Sequence, residues 1–172
     1  LKALELDNTF APAHSQLALI QFIYEWDWAG AEEEFKKAIE LNPDNPVPYT
    51  RLGEYRLSQK KYPEAEKLFE QSMEKNPNFV EGMNGLVVLY GAQKNTPKAL
   101  ARVTAQIAKA PNNSTFYFIL GTLQLSTKQP DQAIASLQKA VELNKLNVDA
   151  VTLLAQVQLV RGESDKAIAT YE

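Results

Sequence analysis

The sequence predicts an all-α fold, a solenoid of stacked helix-turn-helix units, and three observations carry that prediction. A leucine recurs at Leu52, Leu86, Leu120 and Leu154, and an alanine at Ala31, Ala65, Ala99, Ala133 and Ala167, every step having the same length of thirty-four positions. A fixed period in this range marks a chain built by copying one supersecondary unit. Between the markers, apolar residues fall at three- and four-residue spacing, the period of a helix with one buried face. Prolines and asparagines sit at the joints. The stretch from Asn42 to Pro77 holds one unit whole, with Asn45 placed to cap its first helix and Pro46 and Pro63 suited to first helical positions.

Taken in order, Leu1 to Leu6 reads as the last turns of a helix, with Ala3, Leu4 and Leu6 facing inward. The first unit places Ala13, Leu17, Ile20 and Tyr24 on a helix from Ala11 to about Tyr24. Ala31, Phe35, Ala38 and Ile39 follow on a second, from about Ala29 to Leu41. The interval from Leu17 to Ala31 is one position longer than that from Leu52 to Ala65, so this unit holds one extra residue. It is expected in the turn around Trp26, Asp27 and Trp28, where an insertion costs little. The second unit supplies helices over Pro46–Gln59 and Pro63–Lys75. The third runs from Asn78 to Ala92 and from Thr96 to Lys109, the fourth over Ser114–Thr127 and Pro130–Leu143, the fifth over Val148–Val160 and from Ser164 onward. The expected organisation is one domain, 1–172, with the end of a preceding unit at 1–8 and units at 9–43, 44–77, 78–111, 112–145 and 146–172. Its outer units are incomplete, as in a module of a larger protein.

Composition narrows the function. In 172 residues, 45% are apolar and 23% charged, ordinary for a folded domain. Eighteen basic residues against 21 acidic give −3, without long blocks of either sign, which disfavours a nucleic-acid partner. The absence of cysteine excludes disulfides and thiolate chemistry and leaves the compartment open, with the cytoplasm favoured. No apolar run approaches the roughly 20 residues that span a bilayer, so membrane insertion of this segment is not expected. His14 is the one histidine, expected to pack beside its helix with a single hydrogen bond. Glu32, Glu33 and Glu34 read as a solvated face, because consecutive helical residues diverge. With no phosphate-cradling loop either, no catalytic residue, metal or cofactor is expected, and the chain is not expected to be an enzyme.

The residues Tyr49, Leu52, Gly53, Ala65, Phe69 and Pro77, then Tyr117, Leu120, Gly121, Ala133, Leu137 and Ala140, with Pro43, Pro77 and Pro111 spaced by the same period, resemble the tetratricopeptide repeat over nearly the whole chain. The resemblance implies a right-handed α-solenoid. Its small residues, Ala18, Gly53, Gly121 and Ala155, sit where antiparallel helices must approach to about 8–10 Å. Phe35, Phe69, Leu137 and Tyr171 are placed to fill the wedge against the next unit. Leu120 is assigned to the core, so Leu120→Ala is expected to cost roughly 2–5 kcal/mol. The third unit departs from the pattern, with Val87, Val103 and Gln106 at small or aromatic positions and with Gly82, Gly85 and Gly91 in its first helix. The favoured reading is packing, the glycines leaving room for Phe116 and Phe118; the other is close approach of a bound peptide to Gly85.

In tetratricopeptide domains the first helix of each repeat lines a concave groove that holds a partner peptide. Carried over by position, the resemblance assigns to that groove Gln16, Leu19, Phe22, Thr50, Arg51, Glu54, Asn84, Gly85, Val88, Phe118, Thr122, Thr152 and Gln156. Leu19, Phe22, Val88 and Phe118 are the expected anchors, with amide side chains holding peptide backbone and no charge required of the ligand. The basic clamp that some members close on acidic tails is missing. Its positions hold Ser15, Leu19, Arg51, Glu81 and Gly85 in one frame and Thr50, Glu54, Gly85, Thr115 and Ile119 in the next. Tyr24, Trp26 and Trp28 are the densest aromatic cluster; one ring is expected to cover the core, and a partner contact is the lesser reading. The first unit also looks like repeats of large bacterial regulatory proteins. The expected function is a protein-interaction scaffold, the alternative a self-associating module that makes homo-oligomers by stacking through Leu4 and Leu6 at one end and Ile168 and Tyr171 at the other.

Overall fold

A computed structural model describes residues 2–171 of the chain, with the side chains of Lys2 and Ala3 left aside; the expected inward face of Ala3 lies outside the described residues. The helices are α1 (Lys2–Leu6), α2 (Ala11–Ile20), α3 (Trp28–Leu41), α4 (Pro46–Ser58), α5 (Tyr62–Lys75), α6 (Val80–Ala92), α7 (Thr96–Lys109), α8 (Ser114–Ser126), α9 (Pro130–Leu143), α10 (Val148–Val160) and α11 (Ser164–Tyr171). No strand occurs among the described residues. The fold is all-α and built of helix-turn-helix repeats. Contacts gather into two compact units, Leu1–Leu89 and Tyr90–Glu172, with the boundary falling inside α6.

Each turn within a helix pair is closed by the same device. Trp26, Lys60, Lys94, Lys128 and Gly162 all have positive φ, between 53° and 76°, and each stands one full repeat after the last. After four of them the next amide reaches back five residues: Lys61 N–H to the Arg56 carbonyl, Asn95 to Tyr90, Gln129 to Gln124 and Glu163 to Gln158. This is the Schellman ending, which satisfies carbonyls left open at a helix C-terminus. In the first pair the reach is six residues, from Asp27 N–H to the Gln21 carbonyl. The extra residue therefore does not lie in the turn. It is absorbed upstream as a π-helical segment, Gln21–Glu25, that widens the end of the first helix.

The buried face of this first helix also differs from the one expected. Ala11, His14, Ser15 and Ala18 are the buried residues of α2, whereas Ile20 and Tyr24, placed inward from spacing, are exposed. Leu6 is likewise exposed, at 85%, which corrects its inward assignment; Tyr171, placed against a following unit, is 61% exposed. Leu4 is half-buried.

In the first unit the core gathers around Ala18, Ala31, Phe35 and Leu52, with Leu19, Phe22, Ile39 and Leu68 packed against it. Phe69 lies fully buried beside the backbones of α4 and α6. A Cβ on Gly53 would fall 2.7 Å from the Phe69 ring, and one on Gly85 would reach 2.5 Å from its Cδ1. Gly85 thus serves packing, and the ring it admits is Phe69 of the preceding repeat, not the expected Phe116 and Phe118; Gly82 faces Ser72 and Met73, and Gly91 faces open space. In the second unit Gly121 makes the same allowance for Leu137, whose Cγ would stand 2.8 Å from an added Cβ. Val103 and Gln106, the departures from the pattern, are completely buried, and the Gln106 side-chain oxygen accepts from Arg102 Nη1 at 2.9 Å. Two further ties occupy equivalent places in successive repeats: Ser136 Oγ donates to Gln124 Oε1 at 2.7 Å and Thr170 Oγ1 to Gln158 Oε1 at 2.9 Å.

Leu86 is fully buried, while Leu120 at the same repeat position is only half-buried. Leu86→Ala is expected to lower stability by roughly 2–5 kcal/mol, and Leu120→Ala by clearly less than that, as read from urea unfolding followed by circular dichroism. At the turns, Lys94→Gly relieves a left-handed backbone and is expected to raise stability, while Gly162→Ala imposes one in open space and should lower it by about 1 kcal/mol. Paired thermal melts of these two variants check the sign.

Candidate functional site

Of the groove residues proposed from repeat position, six in the first unit line its surface. Gln16, Asn84 and Val88 are exposed; Arg51, Glu54 and Gly85 are half-buried. Thr50 is not available: it is 1% exposed, and its hydroxyl donates back to the Pro46 carbonyl at 3.4 Å, within α4. Leu19 and Phe22 are half-buried and packed on the core. In the second unit Phe118 and Thr152 are half-buried, while Thr122 and Gln156 are exposed. The Thr122 hydroxyl is turned back to the Phe118 carbonyl at 3.0 Å.

Between α4 and α6 lies a cleft of about 360 Å³, lined by Glu54, Leu57, Phe69, Glu81, Asn84, Gly85 and Val88. The cleft follows directly from the packing. Helical spacing puts Glu54 and Leu57 on one face of α4, and Glu81, Gly85 and Val88 on one face of α6. Gly85 adds no side chain, so the edge of Phe69 reaches the floor. At the rim, Arg51 Nη1 donates to both oxygens of Glu54, at 3.0 and 2.8 Å. The Arg51 Nε is buried and has no hydrogen-bond partner. Glu81 and Leu57, absent from the groove set drawn from repeat position, belong to the cleft; Glu81 carried a signal, standing one turn before Gly85 on the same helical face.

Beside this site an aromatic and ionic cluster braces α3, α4 and α5. Trp28 stacks on Tyr55 at 5.8 Å and 6° and meets Phe22 edge-on at 4.8 Å. The Arg56 guanidinium lies 5.3 Å from the Tyr55 centroid, with Nη1 2.9 Å from Glu32 and Nε 3.0 Å from Glu64. Hydrogen bonding from Arg56, with Lys36 alongside, holds the Glu32 carboxyl at about 2, far below the usual carboxylate range. Trp28 is therefore the ring that covers the interior, and Trp26, 69% exposed, is the one left in solvent. Glu32 and Glu34 are not a solvated face either: Glu34 pairs with His14.

His14 has two partners where one was expected. Its Nδ1 lies 2.6 Å from Glu34 Oε2 and its Nε2 2.8 Å from the Asn8 carbonyl. Both partners only accept, so the ring satisfies both when it is the imidazolium. Burial lowers its pKa, but the Asn8 carbonyl and the Glu34 carboxylate outweigh burial and Lys37, and the net shift is upward. Among the described residues no three His, Asp or Glu side chains gather as a metal cluster. The pair is a brace. With the folded pKa raised above the unfolded value, its stabilisation is fully present below about 6.5 and is lost as pH rises through the folded value. The stability gap between the protein and its His14→Gln variant, read by urea titration at pH 5.5 and 8.5, should be wide at the lower pH and narrow at the higher.

No helix among the described residues is long and apolar enough to cross a membrane. A tetratricopeptide repeat model matches residues 56–117 and 124–172, and a second model of that description matches 34–67. No curated protein matches the chain. Among solved structures, yeast Tom70 superposes with a TM-score of 0.81 at 25% identity over 98% of this chain, which spans only 36% of the Tom70 chain. Pseudomonas aeruginosa pilF gives 0.68 at 20% identity, covering 98% of this chain and 77% of that one. YrrB, described as a TPR protein with an unusual peptide-binding site, gives 0.57 at 19%, covering 98% and 87%, and like pilF shows the fold alone. The regular recurrence of the turns, the small residues admitting large side chains, and matches across more than half the sequence agree: the chain belongs to the tetratricopeptide repeat family.

Proposed function

We propose that this chain is a protein-interaction scaffold that holds a segment of a partner protein against the first helices of its repeats. The observation that carries the proposal is the α4–α6 cleft, where exposed Val88 and Asn84 flank the bare backbone of Gly85. Such a surface offers apolar area, an amide able to pair with peptide backbone, and close approach, which are the needs of an extended ligand. On the second unit Phe118, Thr122, Thr152 and Gln156 are the corresponding candidates. That YrrB carries a peptide-binding site supports the reading by analogy of fold. Peptides selected on the protein from a random dodecapeptide display library and then measured by fluorescence anisotropy should bind the Asn84→Ala/Val88→Ala variant at least tenfold more weakly. Undiminished binding would remove this cleft from consideration.

A second reading, self-association, has its own observation. Phe10, Ile20, Ile23, Tyr24 and Trp26 are exposed in the first unit, and Ile168 and Tyr171 in the second, where Tyr171 borders a cleft of about 410 Å³. Apolar residues grouped in this way seek cover. A mass that grows with concentration in light scattering is its signature, and a constant monomer mass would end it.

A further inference from the structure

The cleft between α4 and α6 carries more information about its ligand than its shape. Its floor is apolar, made by Leu57, the edge of Phe69 and the backbone of Gly85, with Val88 beside it. Its ionisable lining groups are two carboxylates, Glu54 from α4 and Glu81 from α6, and no lysine or arginine lines it. Glu54 is shared with Arg51, whose guanidinium is turned toward it. Glu81 is exposed and has no ion pair among the described residues. Arg51, Glu54 and Glu81 together leave one negative charge uncompensated at the rim.

The surroundings have the same sign. The formal balance of −3 is unevenly spread: Leu1–Leu89 holds 15 acidic against nine basic residues, and Tyr90–Glu172 holds six acidic against nine basic. An apolar floor under a negative rim suits a side chain that is aliphatic along its length and cationic at its tip. An acidic side chain would meet like charge there. A purely aliphatic one would cover the floor while leaving Glu81 without a partner.

We propose that this cleft is a subsite for a lysine or arginine side chain of a bound peptide, its stem against Leu57 and Val88 above the buried Phe69 ring and its charge beside Glu81 and Glu54. Asn84 is then placed to pair with the backbone of the same segment. The proposal rests on the peptide-binding reading above and adds the chemical class of the ligand to it. Because both carboxylates are accessible to solvent, binding weakens with added salt.

The experiment selects a random dodecapeptide display library on the whole chain and on its variants in parallel. On the unchanged protein, lysine and arginine next to an apolar residue should be enriched at least threefold over the input library. On Glu54→Gln/Glu81→Gln that enrichment should vanish, and on Glu81→Lys it should turn to aspartate and glutamate. Unchanged helical circular dichroism establishes that the variants are folded; Glu81→Gln alone, at an exposed position, repeats the comparison if the double variant unfolds. Neutral or acidic peptides whose binding still depends on Asn84 and Val88 would overturn the cationic subsite and leave the groove standing. Peptides indifferent to Asn84→Ala/Val88→Ala, or no selected peptide at all, would overturn both.

Discussion

The first unit depends on the seat of one ring. Phe69 is wholly buried, and the backbones of α4 and α6 reach it because Gly53 and Gly85 both lack a Cβ. Neither helix could bury its apolar face within its own pair, so the ring of one repeat completes the core of the next. Glycine inside a helix costs up to about 1 kcal/mol relative to alanine, and burial of a full aromatic ring offsets more than that. The same exchange recurs on a smaller scale at Gly121 and Leu137. The α4–α6 cleft is a consequence of this arrangement. Where α6 gives up a Cβ at Gly85 to admit the ring from beneath, its backbone comes close to the core, and a ligand over that turn lies directly above Phe69.

Helix ends, the repeat length and the pairing of small with large residues were legible from the chain alone, because each is written in local spacing that recurs along the sequence. What was not legible is where the extra residue of the first repeat would go. Spacing shows that one is present between Leu17 and Ala31, and an insertion in a loop is the lower-cost expectation. The turn device forbids it: the left-handed residue must stay in step, and Trp26 precedes Lys60 by the same interval that separates Lys60 from Lys94. The surplus is pushed back into the helix as a π-helical segment, within which Ile23 and Tyr24 are exposed. Helical periodicity read straight through that segment assigns the wrong face.

The candidate site was legible by position and not by depth. Repeat register correctly puts Arg51, Glu54, Asn84 and Val88 on accessible faces of first helices, but it treats Thr50 and Phe22 as their equals. Thr50 is lost to the interior, and Phe22 is held by Trp28, Phe35 and Tyr55. The Glu32–Glu34 run shows why. Divergence of neighbouring helical side chains is a sound reason to reject a cation site, yet it is also what sends Glu32 to Arg56 and Glu34 to His14. A partner so far along the chain is set by how two helices pack, which no spacing rule within one helix contains.

The braces of the two compact units differ in their charged members. The first is tied by charged groups: His14 with Glu34, and Arg56 with Glu32 and Glu64. The second has neutral ties, Gln124 with Ser136 and Gln158 with Thr170, alongside the ion pairs of Arg161 with Asp131 and Glu163. A neutral hydrogen bond keeps its strength as pH and salt change, while an ionic brace does not. The charged braces of the first unit make its stability respond to conditions, and that unit also holds the cleft with the uncompensated carboxylate. A cation arriving at Glu81 meets a surface whose other nearby charges are already committed to structure: Arg51 holds Glu54, and Arg56 holds Glu32. Glu81 is thus the charge in the cleft that a ligand can take up without dismantling the scaffold that presents it.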